Sequence, residues 1–341
     1  MNFVNPDRAT IIYNPASGRP GRRAEDARSM IALLAQRGIQ SAACATSGPD
    51  DAARLAKEAI GSGSSIIVGY GGDGTINEII QEMAGTDAAL AVWPGGTSNV
   101  VARDLGVPFD VNRTADMIAA RKTKRIALGL AERVPAKEQT SRCVEEQRGR
   151  GAEAKKSPNS ELNSPPPLHS SASSPASLQR YFLMMAGIGL DASIARAVNK
   201  KLKRRTGEFA YWLSGIRHLL VWRGEPFTIE VDGQAYESTF ALVGNGKGYG
   251  GGMMMTPNAR LNDPWFEVYI LPPQRNNFAY LRALRACMRG QPQIPGVSLI
   301  RGKHIVANST HEPWVEADGE IIGPLPMTFD IVPDALSVIV P

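Results

Sequence analysis

Cysteine is scarce in this chain: Cys44, Cys143 and Cys287 are the only three in 341 residues, far apart and without paired spacing. That excludes a disulfide framework and a thiolate metal site, and it fits a reducing cytosol. Long apolar runs are missing as well. The opening "MNFVNPDRATIIYNP" has no basic region followed by an apolar stretch, and no segment reaches the roughly 18–20 apolar residues of a membrane span. Contact with a membrane is therefore expected to be peripheral. The four histidines, His169, His218, His304 and His311, are scattered without ligand spacing, so none is expected to be a metal ligand or a catalyst.

What is present fits a globular protein with more than one core. The chain is 43% hydrophobic and 21% charged, and domains usually hold roughly 100–200 residues, so two domains are expected. A net charge of +5 speaks to adsorption on anionic surfaces and not to fold.

Up to about residue 125, short apolar runs alternate with segments of helical period. "ATIIYNP", "IQSAACAT", "SSIIVGY" and "ALAVWP" read as strands; "GRRAEDARSMIALLAQRG", "PDDAARLAKEAI" and "TINEIIQEMAG" read as helices. This alternation predicts βαβ units and a mostly parallel sheet, with ligands at the carboxyl ends of its strands. Residues 132–179 differ in kind. Residues 157–178 alone contain eight Ser and five Pro, a composition that cannot bury enough apolar surface to offset its ordering entropy, so a disordered insertion is expected there. Beyond it the pattern turns to strands and hairpins, including an Asp-Gly turn in "FTIEVDGQAYESTFALVGN". The expected division is an α/β domain over 1–125, a mainly antiparallel β domain over 126–325 that contains the insertion, and a terminal segment over 326–341 that can return to the first domain.

"GYGGDGTINEII", residues 69–80, places four glycines and an aspartate between a strand and a helix. Such a turn aims backbone N–H groups and a helix N-terminus at an anion. Gly69, Gly71 and Gly74 formally satisfy G-x-G-x-x-G, but the next strand ends in Pro94-Gly95-Gly96-Thr97 where a dinucleotide fold needs an acidic residue, and no Gly-Lys-Ser/Thr follows to make a Walker A loop. A carboxylate facing phosphates needs a cation or a network of donors between them, so Asp73 implies Mg²⁺. Two blander readings stand beside this: Asp73 as a turn residue, and Thr75 with Glu78 as a capping box. "NPASGRPG" and "PGGTSN" follow neighbouring strands, and three small-residue turns at one sheet edge suggest one nucleotide. Arg22 and Arg23, beside the first turn, either reach a phosphate at that loop or face solvent on their helix, and solvent is the expected place.

Taken together, "YNPASG", "GGDGTINEI", "PGGTSNVVARDLG", "AGIGLDA", "GEFAYWLSGIRHLL", "VGNGKGYGGGMMMTPNARLND" and "VEADGE" resemble the diacylglycerol kinase family, which includes bacterial soluble lipid kinases and the sphingosine and ceramide kinases. The resemblance covers nearly all of the chain except the insertion. It implies an α/β nucleotide domain like that of NAD kinases and phosphofructokinases, followed by a β-sandwich, and an ATP-dependent, Mg²⁺-assisted transfer of phosphate to a lipid hydroxyl. Asn14, Ser17 and Gly18 would then contact ATP phosphates, with Thr46 near the nucleotide. Gly71, Gly72, Asp73, Gly74, Thr75, Asn77 and Glu78 would form the main phosphate turn, joined by Gly96 and Thr97. Asp318 and Glu320 match a catalytic acidic pair, although Asp318-Gly319 is also a plain hairpin turn. Asp263, with the carbonyls of Arg260 and Trp265, matches a Mg²⁺ site in which Pro264 replaces the usual Gly.

The expected partners are a lipid with a free hydroxyl, a membrane surface touched peripherally, and a second copy of the chain in a homodimer; nucleic acid is not among them. The basic run from Arg196 to Arg205, followed by Phe209, Tyr211, Trp212 and Trp222, could adsorb to an anionic bilayer or simply pack its rings and expose its charges. The rivals to a diacylglycerol kinase are a kinase for a sphingoid base or another lipid, a silent lipid- or nucleotide-binding regulator, and a kinase for a soluble nucleotide cofactor.

Overall fold

A computed structural model describes residues 8–17, 21–133, 179–190, 192–193, 222, 224–249, 253–274 and 277–341. The core of the Ser/Pro-rich insertion, Gly18, and the basic and aromatic run from Arg196 through Trp212 lie outside the described residues.

The first half is built from β1 (Arg8–Tyr13), α1 (Arg23–Gln36), β2 (Gln40–Ala45), α2 (Asp51–Gly61), β3 (Ile66–Gly71), α3 (Asp73–Met83) and β4 (Ala89–Pro94), then α4 (Val100–Asp104) and α5 (Val111–Ala120). Strands β2, β1, β3 and β4 pair in that order, all parallel. Every residue of β3, "IIVGYG", is buried, as expected for a parallel strand covered on both faces. Helix α1 packs with α5 and α2 with α3 against the sheet. Asp110 caps α5 by accepting from the Arg113 N–H at 2.9 Å, an arrangement that contributes about 1 kcal/mol.

The second half contains β5 (Thr123–Arg133), β6 (Gln179–Phe182), β7 (Met185–Gly189), β8 (Phe227–Val231), β9 (Gln234–Ser238), β10 (Phe240–Gly244) and β11 (Phe266–Leu271). After α6 (Phe278–Met288) come β12 (Ser298–Gly302), β13 (His304–Asn308), β14 (Trp314–Ala317), β15 (Glu320–Pro324) and β16 (Met327–Ile339). A six-stranded sheet, ordered β12-β11-β10-β7-β14-β15, faces the strands β5, β16, β13 and β8 across a shared core that includes Phe182, Ile229, Val243, Val268, Ile305 and Phe329. This is the antiparallel β region that the hairpin pattern predicts, arranged as the β-sandwich that the resemblance implies.

The two halves share one continuous ten-stranded sheet. Strand β16 makes the join: its Met327–Asp330 end pairs antiparallel with β13, while Ser337 and Val338 pair parallel with β4. Strand β5 runs antiparallel along β16 through both regions, with a register shift between Val332 and Leu336. Chain entering and leaving the sandwich thus forms a paired ribbon rooted in the nucleotide-type sheet, which holds the turns of the two halves in fixed register.

Candidate active site

Three loops follow the carboxyl ends of β1, β3 and β4, and backbone hydrogen bonds tie them into one edge. Asn14 N–H donates to the Tyr70 carbonyl at 3.3 Å, and Gly95 N–H to the Gly71 carbonyl at 2.8 Å. Within the first loop the Asn14 Oδ1 accepts from Ala16 N–H at 2.8 Å, and the Ser17 hydroxyl donates to the Asn14 carbonyl at 3.0 Å. Thr46, buried just beyond β2, is held by its N–H on the Tyr13 carbonyl at 2.9 Å.

The second and third loops meet backbone to backbone. A Cβ on Gly96 would stand 2.5 Å from the Gly72 Cα, so only glycine permits this approach. Asn99 brackets the third loop from below, accepting from Gly96 N–H at 2.8 Å and donating to the Gly96 carbonyl at 2.9 Å. Thr97 is left exposed on the rim beside the exposed Gly74.

Asp73 opens α3, and its Oδ1 accepts from the Val101 N–H at 3.2 Å, at the start of α4. Burial pushes the Asp73 carboxyl above its ordinary range, against backbone hydrogen bonds from residues 99–101 that pull it down. Its visible work is to tie the second loop to the helix after the third. The capping-box reading of Thr75 and Glu78 is overturned. Gly72 is the N-cap of α3 with no side-chain bond, Thr75 sits buried inside the helix, and Glu78 Oε2 accepts from the Ala52 N–H of α2 at 3.0 Å. Glu78 therefore joins two helices and does not close its own.

Arg23 corrects the sequence reading outright. It is 8% exposed, its Nε donates to the Ser17 carbonyl at 3.0 Å, its Nη2 donates to the Gly95 carbonyl, and its guanidinium lies 4.3 Å from the Tyr70 ring centre. Tyr70 in turn stacks on Trp93 with ring centres 3.6 Å apart. The side chain expected to face solvent instead clasps the first loop to the third. Arg22, its neighbour, is exposed as expected.

From the sandwich side, the turn between β14 and β15 brings Asp318 and Glu320 to this edge. Asp318 adopts φ of 48° and Gly319 of 87°, the left-handed pair of a two-residue hairpin. Asp318 is half-buried, with its carboxylate turned inward. Its Oδ1 accepts from the N–H groups of Met184 at 2.9 Å and Met185 at 3.0 Å, and its Oδ2 from Leu183 N–H at 2.6 Å and Asn77 Nδ2 at 3.0 Å. Burial pushes its carboxyl up, opposed by those four donors. Glu320 carries more exposure, 37% of its side chain, and pairs with Arg180. The same Arg180 Nη2 donates to Asn77 Oδ1 at 2.7 Å. Asn77, on the helix that starts at the glycine turn, thus touches both Asp318 and the Arg180–Glu320 pair.

Arg180 is a residue that sequence reasoning missed. It directly follows the insertion, in "LQRYF", and a lone arginine there carries no motif. The β5–β6 pairing sets it opposite Ala131 and so delivers it to the site.

The proposed metal residues form a separate turn, closed by Asp263 N–H donating to the Arg260 carbonyl at 2.8 Å. Asp263 is half-buried, and Arg260 folds its own guanidinium onto the carbonyls of Pro257 and Ala259. Among the described residues no group of three or more His, Cys, Asp or Glu stands close enough to hold a metal. One carboxylate with two carbonyls is an all-oxygen donor set, which suits a hard cation that keeps waters and is shared with substrate phosphates.

The glycine-loop edge faces an acidic hairpin turn, and similarity to known proteins makes the chain an enzyme of the lipid-kinase class. Residues 8–131 match the diacylglycerol kinase catalytic domain, and residues 184–340 match the YegS C-terminal NAD kinase beta sandwich-like domain; the chain belongs to the diacylglycerol kinase family. Similar proteins include a diacylglycerol kinase of Bacillus subtilis (strain 168), 29% identical with 94% of this chain and 92% of that one covered. Another, a diacylglycerol kinase of Mycobacterium tuberculosis, is 26% identical with 98% and 95% covered. A crystal structure of a diacylglycerol kinase from Bacillus anthracis str. Sterne superimposes with a TM-score of 0.70 at 22% identity, covering 98% of this chain and 97% of that one, and shows the same fold.

Proposed function

We propose that the protein is an ATP-dependent kinase that transfers a phosphoryl group to the hydroxyl of diacylglycerol or a similar lipid, giving a phospholipid such as phosphatidic acid. The observation that carries this reading is the Asn77 junction, which couples the helix of the glycine turn directly to Asp318 and, through Arg180, to Glu320. Phosphoryl transfer has a loose transition state, so positioning and charge neutralisation supply most of the rate. The N-terminus of α3 at Gly72–Gly74 would offer its backbone N–H groups to the phosphates, with the loops Asn14–Ser17 and Gly96–Thr97 flanking it.

The two catalytic carboxylates divide their work. A carboxylate has about four lone-pair sites, and Asp318 already receives four donors, so it positions Asn77 and the 183–185 backbone. Glu320, partly exposed and bonded to Arg180 through Oε2, has capacity left to accept the proton of a lipid alcohol. Asp263, with the carbonyls of Arg260 and Trp265, would hold Mg²⁺, whose charge neutralises phosphate oxygens when bound. No helix among the described residues is long and apolar enough to cross a membrane. In this reading the lipid acceptor is met at a membrane surface that the protein touches peripherally.

The test is transfer of labelled γ-phosphate from ATP with Mg²⁺ to a lipid panel in mixed micelles, comparing wild type with Glu320→Gln and Asp318→Asn. A labelled phospholipid whose rate falls by about 10²–10⁴ in Glu320→Gln, with ATP binding retained, supports the reading. No transfer to any lipid, with ATP still bound, would sink it.

A further inference from the structure

A cavity of about 440 Å³ opens at the far end of α4 from the glycine loops, lined by Asp104, Lys124, Lys247 and Arg260 around an apolar wall that includes Ile126 and Leu261. Its size falls within the roughly 300–1,000 Å³ of small-molecule sites. Helix α4 rises about 1.5 Å per residue, so its five residues separate the cavity from the Asp73 contact by only a few ångströms of backbone. The lining comes from both halves: Asp104 from the α/β side, Lys124 from the start of β5, and Lys247 and Arg260 from sandwich loops, stitched by Ala127 N–H donating to the Leu261 carbonyl at 2.6 Å.

The charge balance is one-sided. Lys124, Lys247 and Arg260 stand around the half-buried Asp104 carboxylate, which also accepts a backbone hydrogen bond from Lys247, and the C-terminal Pro341 oxygen in the same lining is met by the Lys122 ammonium at 2.7 Å. Lys124 gives one of its three N–H donors to Asn262 Oδ1 at 2.9 Å, and the Lys247 ammonium makes no hydrogen bond to a described residue. Like charges held together at the mouth of a partly apolar cavity repel one another unless an anion joins them.

We infer that this cavity is a phosphate-group site distinct from the nucleotide loops, shaped for a phosphate with an aliphatic or glycerol portion against Ile126 and Leu261. The same chemistry is offered by an anionic phospholipid headgroup and by a free phosphomonoester. Either ligand would bridge the two halves of the protein beside the active edge.

The test uses the full chain saturated with a non-hydrolysable ATP analogue, so that the nucleotide loops are occupied. Glycerol 3-phosphate binding is measured by calorimetry, and sedimentation with phosphatidylglycerol or phosphatidylcholine vesicles is measured in parallel. Lys124→Gln and Lys247→Gln should each weaken glycerol 3-phosphate binding about fivefold to tenfold. Asp104→Asn keeps an acceptor for the Lys247 N–H while removing the carboxylate nearest the three cations, and should tighten binding by a similar factor. That gain cannot arise from misfolding. Loss of phosphatidylglycerol-vesicle binding in the same lysine variants, with competition by glycerol 3-phosphate, assigns the site to a lipid headgroup; vesicle binding left unchanged assigns it to soluble phosphates. Glycerol 3-phosphate and vesicle binding that both ignore all three substitutions would overturn the inference.

Discussion

Asn77 Nδ2 donates to Asp318 Oδ2 at 3.0 Å across 241 positions of sequence, while its own Oδ1 accepts from Arg180 at 2.7 Å. One amide thus aligns the helix that opens at the glycine turn with both members of the acidic hairpin. Its donor end meets a carboxylate and its acceptor end a guanidinium, so only one orientation of the amide satisfies both neighbours.

Replacing Asn77 with Ala should leave that cluster two hydrogen bonds short. A buried charged group that loses a partner costs about 1–3 kcal/mol, so transfer should slow by about tenfold to a hundredfold or more. ATP affinity should change little. Steady-state kinetics that show a raised KM for ATP with kcat intact would contradict this positioning role.

Arg23→Lys keeps the charge but loses the planar fork that reaches Ser17 and Gly95 together. The first and third loops should separate, and the KM for ATP should rise by about tenfold, since each hydrogen bond from a charged donor contributes about 1.5–3 kcal/mol. An ATP titration indistinguishable from wild type would show that the clasp is idle.

Gly96→Ala places a methyl group against the Gly72 Cα, which is backbone and cannot rotate away. Overpacking of this kind costs about 1–3 kcal/mol, and here it should also spread the two phosphate loops. Thermal melts and nucleotide binding should fall together in this variant. The comparison is Gly74→Ala, where an added Cβ meets nothing within 4 Å.

The buried acids make stability fall as pH rises. The Asp73 and Asp318 carboxyls lie above their ordinary value of 3.8, so between that value and their folded values the native state holds protons the unfolded chain has released. Their favourable contribution is complete below the ordinary value and lost as pH passes the raised one. Urea unfolding should therefore show wild type losing stability relative to Asp73→Asn over that window. A pH-independent difference between the two proteins would contradict the burial effect.

The β5–β6 ladder already pairs Glu132 with Gln179. Replacing residues 134–177 with a two-residue Asn-Gly turn, which sets Arg133 opposite Leu178, should keep the strand register, the placement of Arg180 and the lipid-kinase activity. Shortening the loop should add about 2 kcal/mol of stability through reduced closure entropy. Loss of transfer in a well-folded deletion would give the insertion a functional role instead.

Much of the architecture is legible locally. Strands and helices of the first half follow from the alternation of β-branched runs with helical periods, and the Asp-Gly turns follow from residues that tolerate positive φ. The misreadings are equally instructive. Arg23 looks like a solvent residue because one turn of helix gives no hint of Ser17 and Gly95 on neighbouring loops. Thr75 and Glu78 have capping-box spacing, yet the carboxylate finds α2 first.

Asp232-Gly233 and Asp318-Gly319 mark the boundary between the two kinds of information. Both aspartates have φ of 48°, and their glycines have φ of 85° and 87°, a conformation that the dipeptide itself specifies. The exposed Asp232 carboxylate ties down the backbone of Lys303 and His304, whereas that of Asp318 is buried on Asn77 and the 183–185 backbone. The sequence by itself determined the turns, the glycine loops and the alternation of strands and helices in the first half, because backbone sterics and hydrophobic period act over a few residues. Only the tertiary structure decided which aspartate became part of the site, because burial and long-range hydrogen bonds depend on what distant segments pack against it.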